Sequence, residues 1–174
     1  VELNEVLKAI DEYAFQYCEK LSSIKLPSTL ETIGYSAFAG CGIYCVDVPA
    51  SVTEIGSYAF SDSNVEAIII NNKDTYLSSG FVGGSVTIYG HTGSTAETYA
   101  NNRVNKFVSI DLEEGVECTH SFVKDEIITA PSCTSKGLAK TKCAICGAQG
   151  ENAEIEMTEH NDPVGVCVEC GHKE

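Results

Sequence analysis

The chain has 174 residues, 43% of them hydrophobic, and its 25 acidic side chains outnumber 11 basic ones to give a net charge of -14. So acidic a balance excludes recognition of nucleic acid or anionic membranes through a basic face. No apolar run approaches the ~20 residues needed to cross a bilayer, while the apolar fraction is enough to fill one large or two small cores.

The first third is built from a block of about 23 residues that recurs. It reads Leu7-Lys-Ala-Ile10-Asp-Glu-Tyr-Ala14-Phe15-Gln-Tyr-Cys18, then Leu30-Glu-Thr-Ile33-Gly-Tyr-Ser-Ala37-Phe38-Ala-Gly-Cys41, then Val52-Thr-Glu-Ile55-Gly-Ser-Tyr-Ala59-Phe60-Ser-Asp-Ser63. Each block runs into an apolar comb: Leu21, Ile24 and Leu26; Ile43, Val46 and Val48; Val65, Ile68 and Ile70. A fixed period of this length predicts stacked coils, each burying its apolar face against the next. The comb Leu21-x-x-Ile24-x-Leu26 has the spacing of a leucine-rich repeat. Alternate residues of such a strand point to opposite faces, so Ile24 and Leu26 are expected inside and Lys25 outside. Pro27 and Pro49 end the combs, because proline has no N–H for the ladder. Ala14-Phe15, Ala37-Phe38 and Ala59-Phe60 fall on the return side, where the phenylalanines should form a stacked spine. Cys18 and Cys41 take equivalent places in adjacent coils. At a strand spacing of ~4.8 Å they are within disulfide range, with buried thiols as the other reading.

Val1 matches Ile24 and Leu3 matches Leu26 in the repeat, so the chain is expected to open on the tail of an earlier coil, as an excised or processed piece of a longer protein. After Ile70 the pattern degrades. Tyr76-Leu77 and Phe81-Val82 are placed over the last core layer, and Val86-Thr-Ile88-Tyr89 reads as a further strand. Ser94-Thr-Ala-Glu97 is a capping box opening a short helix that runs through Ala100 to about Arg103, followed by a strand over Lys106–Ile110. Residues 71–110 therefore read as the C-terminal cap of a solenoid spanning 1–110, and 111–115 as an acidic linker.

The blocks "IGYSAFAGC" and "IGSYAFSDS", the turn "LPSTLETIG" and the closing "YGHTGSTAETYANNRVNKF" resemble the BspA-like leucine-rich-repeat family of bacterial surface and secreted proteins. The resemblance implies an α/β leucine-rich-repeat solenoid of short strands and short helical turns, exposed outside the cell. For some members it also implies adhesion to host matrix proteins or to other cells, through a host or bacterial surface protein or glycan.

Residues 116–174 carry a different signal. Two knuckles, Cys143-Ala-Ile-Cys146-Gly147 and Cys167-Val-Glu-Cys170-Gly171, are separated by 20 residues. Cys-x-x-Cys-Gly is the pattern in which two thiolates grip one tetrahedral Zn(II), the glycine turning the backbone beneath the metal. Two such knuckles at this separation match a zinc ribbon, so 116–174 is read as a small β-rich Cys/His module. Cys118, His120, Cys133 and His160 are further candidate ligands. They can form a second site of two sulfurs and two nitrogens, or Cys118-x-His120 can join the first knuckle. Disulfides are the alternative to zinc outside the cell. Few large apolar residues occur in this stretch, so a staple of one kind or the other is expected. Pieces such as "CTHSF" and "CAICG" resemble a Cys/His module often appended to Gram-positive surface proteins.

No nucleophile elbow, phosphate loop, dinucleotide-binding glycine motif or His-Glu-x-x-His occurs. Glu113, Glu114, Glu117, Glu151 and Glu156 read as solvated acids, and His91 as a surface turn residue. The expectation is a non-enzymatic recognition module whose parallel strand face forms a platform. Its outward positions would be Lys25, Asp47 and Ile69, with Ser23, Tyr44, Cys45 and Ala67 between comb positions. The alternative is a spacer or display stalk whose binding function lies in repeats upstream.

Overall fold

The computed structural model describes residues 3–112, 118 and 121–157. In chain order the elements are β1 (Ala9–Ile10), β2 (Thr32–Ile33), β3 (Cys45–Val48), β4 (Glu54–Ile55), β5 (Ala67–Ile70), β6 (Tyr76–Leu77), β7 (Thr87–Gly90), α1 (Thr95–Asn101), β8 (Phe107–Ser109), β9 (Phe122–Thr129), β10 (Gly137–Cys143) and β11 (Ala153–Ile155). The first part is a β-solenoid with little helix. One side carries the short parallel sheet β1-β2-β4-β6, and another carries the longer parallel sheet β3-β5-β7-β8. The register fixes the coil length, which falls along the stack. Ala9 pairs with Thr32, Thr32 with Glu54 and Glu54 with Tyr76, whereas Ala67 pairs with Thr87 and Ile88 with Phe107.

The combs fill the space between the sheets. Ile33, Ile43, Val46, Val48, Ile55, Ile68, Ile70 and Ile88 are at most 1% exposed. The phenylalanine spine is present: Phe15 lies on Phe38 at 5.1 Å between ring centres, and Phe38 on Phe60 at 5.3 Å, with planes within 4° of parallel. Backbone bonds between coils impose that spacing, since Phe15 N donates to Ala37 O and Phe38 N to Ala59 O, both at 2.8 Å. In the fourth coil Phe60 N donates to Phe81 O. Phe81 therefore takes the alanine place, Val82 continues the spine, and the Phe81 ring meets Tyr99 of the cap edge-on at 4.7 Å.

Two glycines let the coils approach so closely. A Cβ at Gly34 would stand 2.6 Å from the Glu12 nitrogen, and one at Gly56 would stand 2.7 Å from the Tyr35 nitrogen. These obstacles are backbone and cannot rotate away. Gly56→Ala is therefore expected to cost about 1–3 kcal/mol through overpacking, read as a lower midpoint in urea unfolding.

A short helix opens at the capping box and covers Thr95–Asn101, ending before the expected Arg103. Ser94 caps α1 by accepting from Glu97 N, while the Glu97 carboxylate accepts from Gly93 N at 2.6 Å. Ala96 and Ala100 face the core, and Thr95 N donates to Lys73 O to hold the helix on the fourth coil. The turn before it is tied down by Asp111, which bonds His91 Nδ1 at 2.6 Å and Thr92 N at 2.8 Å. The His91 bond comes first in holding the Asp111 carboxyl well below the usual carboxylate range. His91 is thus a partnered turn residue.

After the solenoid, β9, β10 and β11 form an antiparallel sheet in the order β11-β10-β9. This sheet lies against the outer face of β3-β5-β7-β8, where it covers the expected platform.

Candidate functional site

The platform positions divide into buried and exposed groups. Cys45, Ala67 and Ile69 are 6%, 2% and 4% exposed, and Tyr89 beside them is 5% exposed. They form a second apolar cluster with Ala144 of the knuckle, with Val108, Ile110 and Val123 packed at its margin. The expectation that these side chains face a partner in solution is therefore corrected: the chain's own C-terminal sheet sits on them. A signal for this was present in the sequence. Ala67-Ile-Ile-Ile70 is apolar on both parities, which marks a strand covered on both faces.

Polar contacts frame the apolar patch. The Tyr89 and Ser121 hydroxyls are 2.9 Å apart. Lys124 reaches Glu66 at 2.7 Å and lies over the Tyr44 ring, 5.1 Å from its centre. Lys142 stands between Asp125 at 3.0 Å and Asp47 at 3.5 Å. Burial works against the charge on Lys142, but the Asp125 hydrogen bond and the two carboxylates outweigh it and raise the pKa above the ordinary lysine value. Beneath them burial pushes the Cys45 thiol up to about 12, against the pull of Lys142. On the first coil Lys25 is exposed and Ser23 half-buried; they line a cleft shared with Asp47, Asp125, Glu126 and Lys142.

Next to this interface lies a group of thiols. Cys118, Cys143 and Cys146 have their sulfurs within 4.8 Å of one another. The Cys118 and Cys143 sulfurs are 3.7 Å apart, too far for a bond between them. Two sulfurs that each sit 2.3 Å from one tetrahedral ion are themselves about 3.8 Å apart, so the spacing fits shared coordination. The backbone agrees. Gly147 has φ +75°, with open space around the position of its missing Cβ. Its N–H donates to Cys143 O at 2.9 Å, closing the knuckle. Ile145 N points at the Cys143 sulfur, 3.4 Å away.

Among the described residues the geometry brings Cys118 beside Cys143 and Cys146 of the first knuckle. His120, His160, Cys167 and Cys170 lie outside the described residues. Cys133 is buried in the β9–β10 connection. The length of β10 separates it from the cluster by about 20 Å. Among the described residues this group is the one that fits a metal ion.

Cys18 and Cys41 do not bridge. Cys41 is buried, its thiol donates to Phe15 O at 3.0 Å, and burial pushes its pKa up to about 11. Cys18, expected to be buried like it, is exposed.

A feature not singled out in the sequence is a run of exposed tyrosines on the return turns. Tyr13, Tyr35 and Tyr58 are 51%, 37% and 50% exposed and meet edge-to-face at 5.3 and 5.7 Å. Tyr13 and Tyr58 have φ near +60°, a region unfavourable for side chains of this bulk. The Tyr58 ring lies over Gly80 of the next coil and the Tyr17 ring over Gly40. Asp11, Glu12, Glu54 and Asp62 are exposed on the same turns and edges. The signal lay in the variable places of the repeat, where Tyr13, Tyr17, Tyr35 and Tyr58 stand among Gly, Ser and Asp.

The fold and its tail define a solenoid repeat protein carrying a small thiol-bearing sheet on its strand face. Residues 1–107 match the BspA type leucine rich repeat region in six copies, and the chain belongs to that family. It is similar to a leucine-rich repeat protein of known structure from Bacteroides ovatus, with 24% identity and a TM-score of 0.49 over 62% of this chain. The chain spans 30% of the length of that protein. No curated protein matches the sequence. Repeats of this family serve as protein-interaction or surface modules, and no helix among the described residues is long and apolar enough to cross a membrane.

Proposed function

We propose that the chain is a non-enzymatic extracellular recognition module of a bacterial surface or secreted protein, and that it adheres to a protein partner through its tyrosine-bearing turns. The observation that carries this reading is the Tyr13–Tyr35–Tyr58 ladder, an exposed aromatic row on a rigid support. Tyrosine supplies contact area at little cost in side-chain entropy and is enriched at binding hot spots. The surrounding acids and the net charge of -14 favour a partner surface rich in lysine and arginine. Burial of Cys45, Ala67 and Ile69 moves this role away from the strand face. Saturable binding to at least one member of an immobilised panel of basic matrix proteins is expected, and Tyr35→Ala should weaken it about tenfold or more. Absence of saturable binding, or binding unchanged in a Tyr13→Ala/Tyr35→Ala/Tyr58→Ala variant, favours the spacer reading.

For the tail, the proposal is one structural zinc ion held by Cys118, Cys143 and Cys146 with one further ligand. Thiolates select Zn(II) over hard cations, and the ion supplies cross-linking to a sheet with little apolar core of its own. Disulfides remain the alternative, and metal content by mass spectrometry separates the two.

A further inference from the structure

The thiol cluster and the covered strand face share one short stretch of chain. Ala144, the residue after Cys143, is the buried contact of the knuckle with Cys45, Ala67, Ile69 and Tyr89. Its N–H donates to Ser121 O at 2.8 Å, and the Ser121 hydroxyl meets Tyr89. Lys142, the residue before Cys143, holds Asp47, and Lys124 holds Glu66. The docking contacts thus come from residues 121–125 and 142–144. Those are the two strands at one end of the β9–β10 ladder, where Phe122 pairs with Cys143 and Val123 with Lys142, and a cation on Cys118, Cys143 and Cys146 would reinforce that end.

We infer that the strand face is a shuttered interaction surface, closed by the chain's own β9–β10 hairpin and latched by a thiophilic cation on Cys118, Cys143 and Cys146. The inference rests on the metal reading above. With the cation in place, Ala144 is fixed over the apolar patch. Without it, this end of the hairpin loses that reinforcement and keeps to the solenoid through the Ala144 contact and the Lys124–Glu66 and Lys142–Asp47 pairs, and the hairpin lifts while the solenoid stays folded. The face then exposed is apolar along Cys45, Ala67, Ile69 and Tyr89 and acidic at Asp47 and Glu66. Any external ligand of it competes with the hairpin and must present the same chemistry, small or branched apolar side chains flanked by lysines.

Three free thiols report the state without further engineering. Cys18 is exposed, Cys41 lies in the solenoid core, and Cys45 lies under the hairpin. Freshly reduced protein, zinc-loaded or treated with EDTA, is pulsed with iodoacetamide, and labelling is read peptide by peptide beside the zinc content of the same samples. Loaded protein should label at Cys18 and resist at Cys41 and Cys45. Chelation should speed labelling of Cys45 by about tenfold or more, leaving Cys41 protected, as expected for a sub-global opening. Ile69→Glu, and the milder Asp47→Lys that opposes Lys142, should expose Cys45 with zinc still bound.

Zinc that binds and leaves while Cys45 stays protected overturns the latch alone. Cys41 and Cys45 opening together also overturns it, because the cation would then hold the whole fold. A loaded sample without zinc overturns the metal reading, and the latch falls with it.

Discussion

Phe38→Ala is expected to destabilise the solenoid by about 3–5 kcal/mol, the range for deleting a fully buried aromatic ring. Phe38 is 0% exposed and is the middle member of the spine, with a ring stacked on each side at 5.1 and 5.3 Å. Its removal strips contact from both Phe15 and Phe60. The backbone bonds from Phe38 N to Ala59 O on one side and from Phe15 N to Ala37 O on the other hold the coils at fixed separation, so the space cannot close by collapse. Phe15→Ala should cost clearly less, since Phe15 is only partly buried and stacks on one neighbour. Urea unfolding monitored by circular dichroism checks both. Equal losses at the two sites would show that neither the deeper burial of Phe38 nor its second stacked neighbour sets the cost.

The second large effect concerns the tail. On the zinc proposal, Cys143→Ser should abolish stoichiometric binding of the ion, lowering affinity by about a hundredfold or more, because hydroxyl oxygen is a poor substitute for a buried thiolate on a borderline-soft ion. Cys143 is 1% exposed and stands between the docking residues Lys142 and Ala144, so loss of the ion there should loosen that contact. Structural zinc contributes roughly 10–16 kcal/mol of binding energy to small metallo-domains, which is folding energy where little else holds the chain. In limited proteolysis the variant should be cut within 121–157 while the solenoid resists. Cys133→Ser, at the far end of the hairpin, should leave the ion at this cluster in place. Zinc content and the masses of the proteolytic fragments read both outcomes.

The solenoid was legible in the sequence because its determinants are local and repeated. Phe15, Phe38 and Phe60 each meet a copy of themselves, so a period in the chain is a contact in space. The cap was legible for a related reason, since Ser94 and Glu97 satisfy donors within one turn. The fate of the strand face was not. Cys45, Ala67 and Ile69 meet Val123 and Ala144, far away in sequence and outside the period, and no spacing rule reaches that far. The apolar run Ala67–Ile70 showed that something covers the strand, but not what. The thiol site was legible in its residue types and only partly in its grouping: Cys143 and Cys146 follow from one turn, whereas Cys118 joins them through the pairing of β9 with β10. The tyrosine ladder was obscured because its rings come from non-equivalent places of the repeat, Tyr35 standing one position before the match to Tyr13 and Tyr58.

The falling coil length has a consequence for how such an array can grow. Duplicating one block between the first and second coils adds a layer whose phenylalanine and comb residues land on identical neighbours. The same insertion near the cap sets a wide layer against a narrow one, where Phe81 already sits a place early and Ala96 is fitted closely against Gly90. Lengthening by internal duplication is therefore open at the broad end of the stack and barred at the tapered one, which gives the array a polarity of inheritance as well as of chain direction.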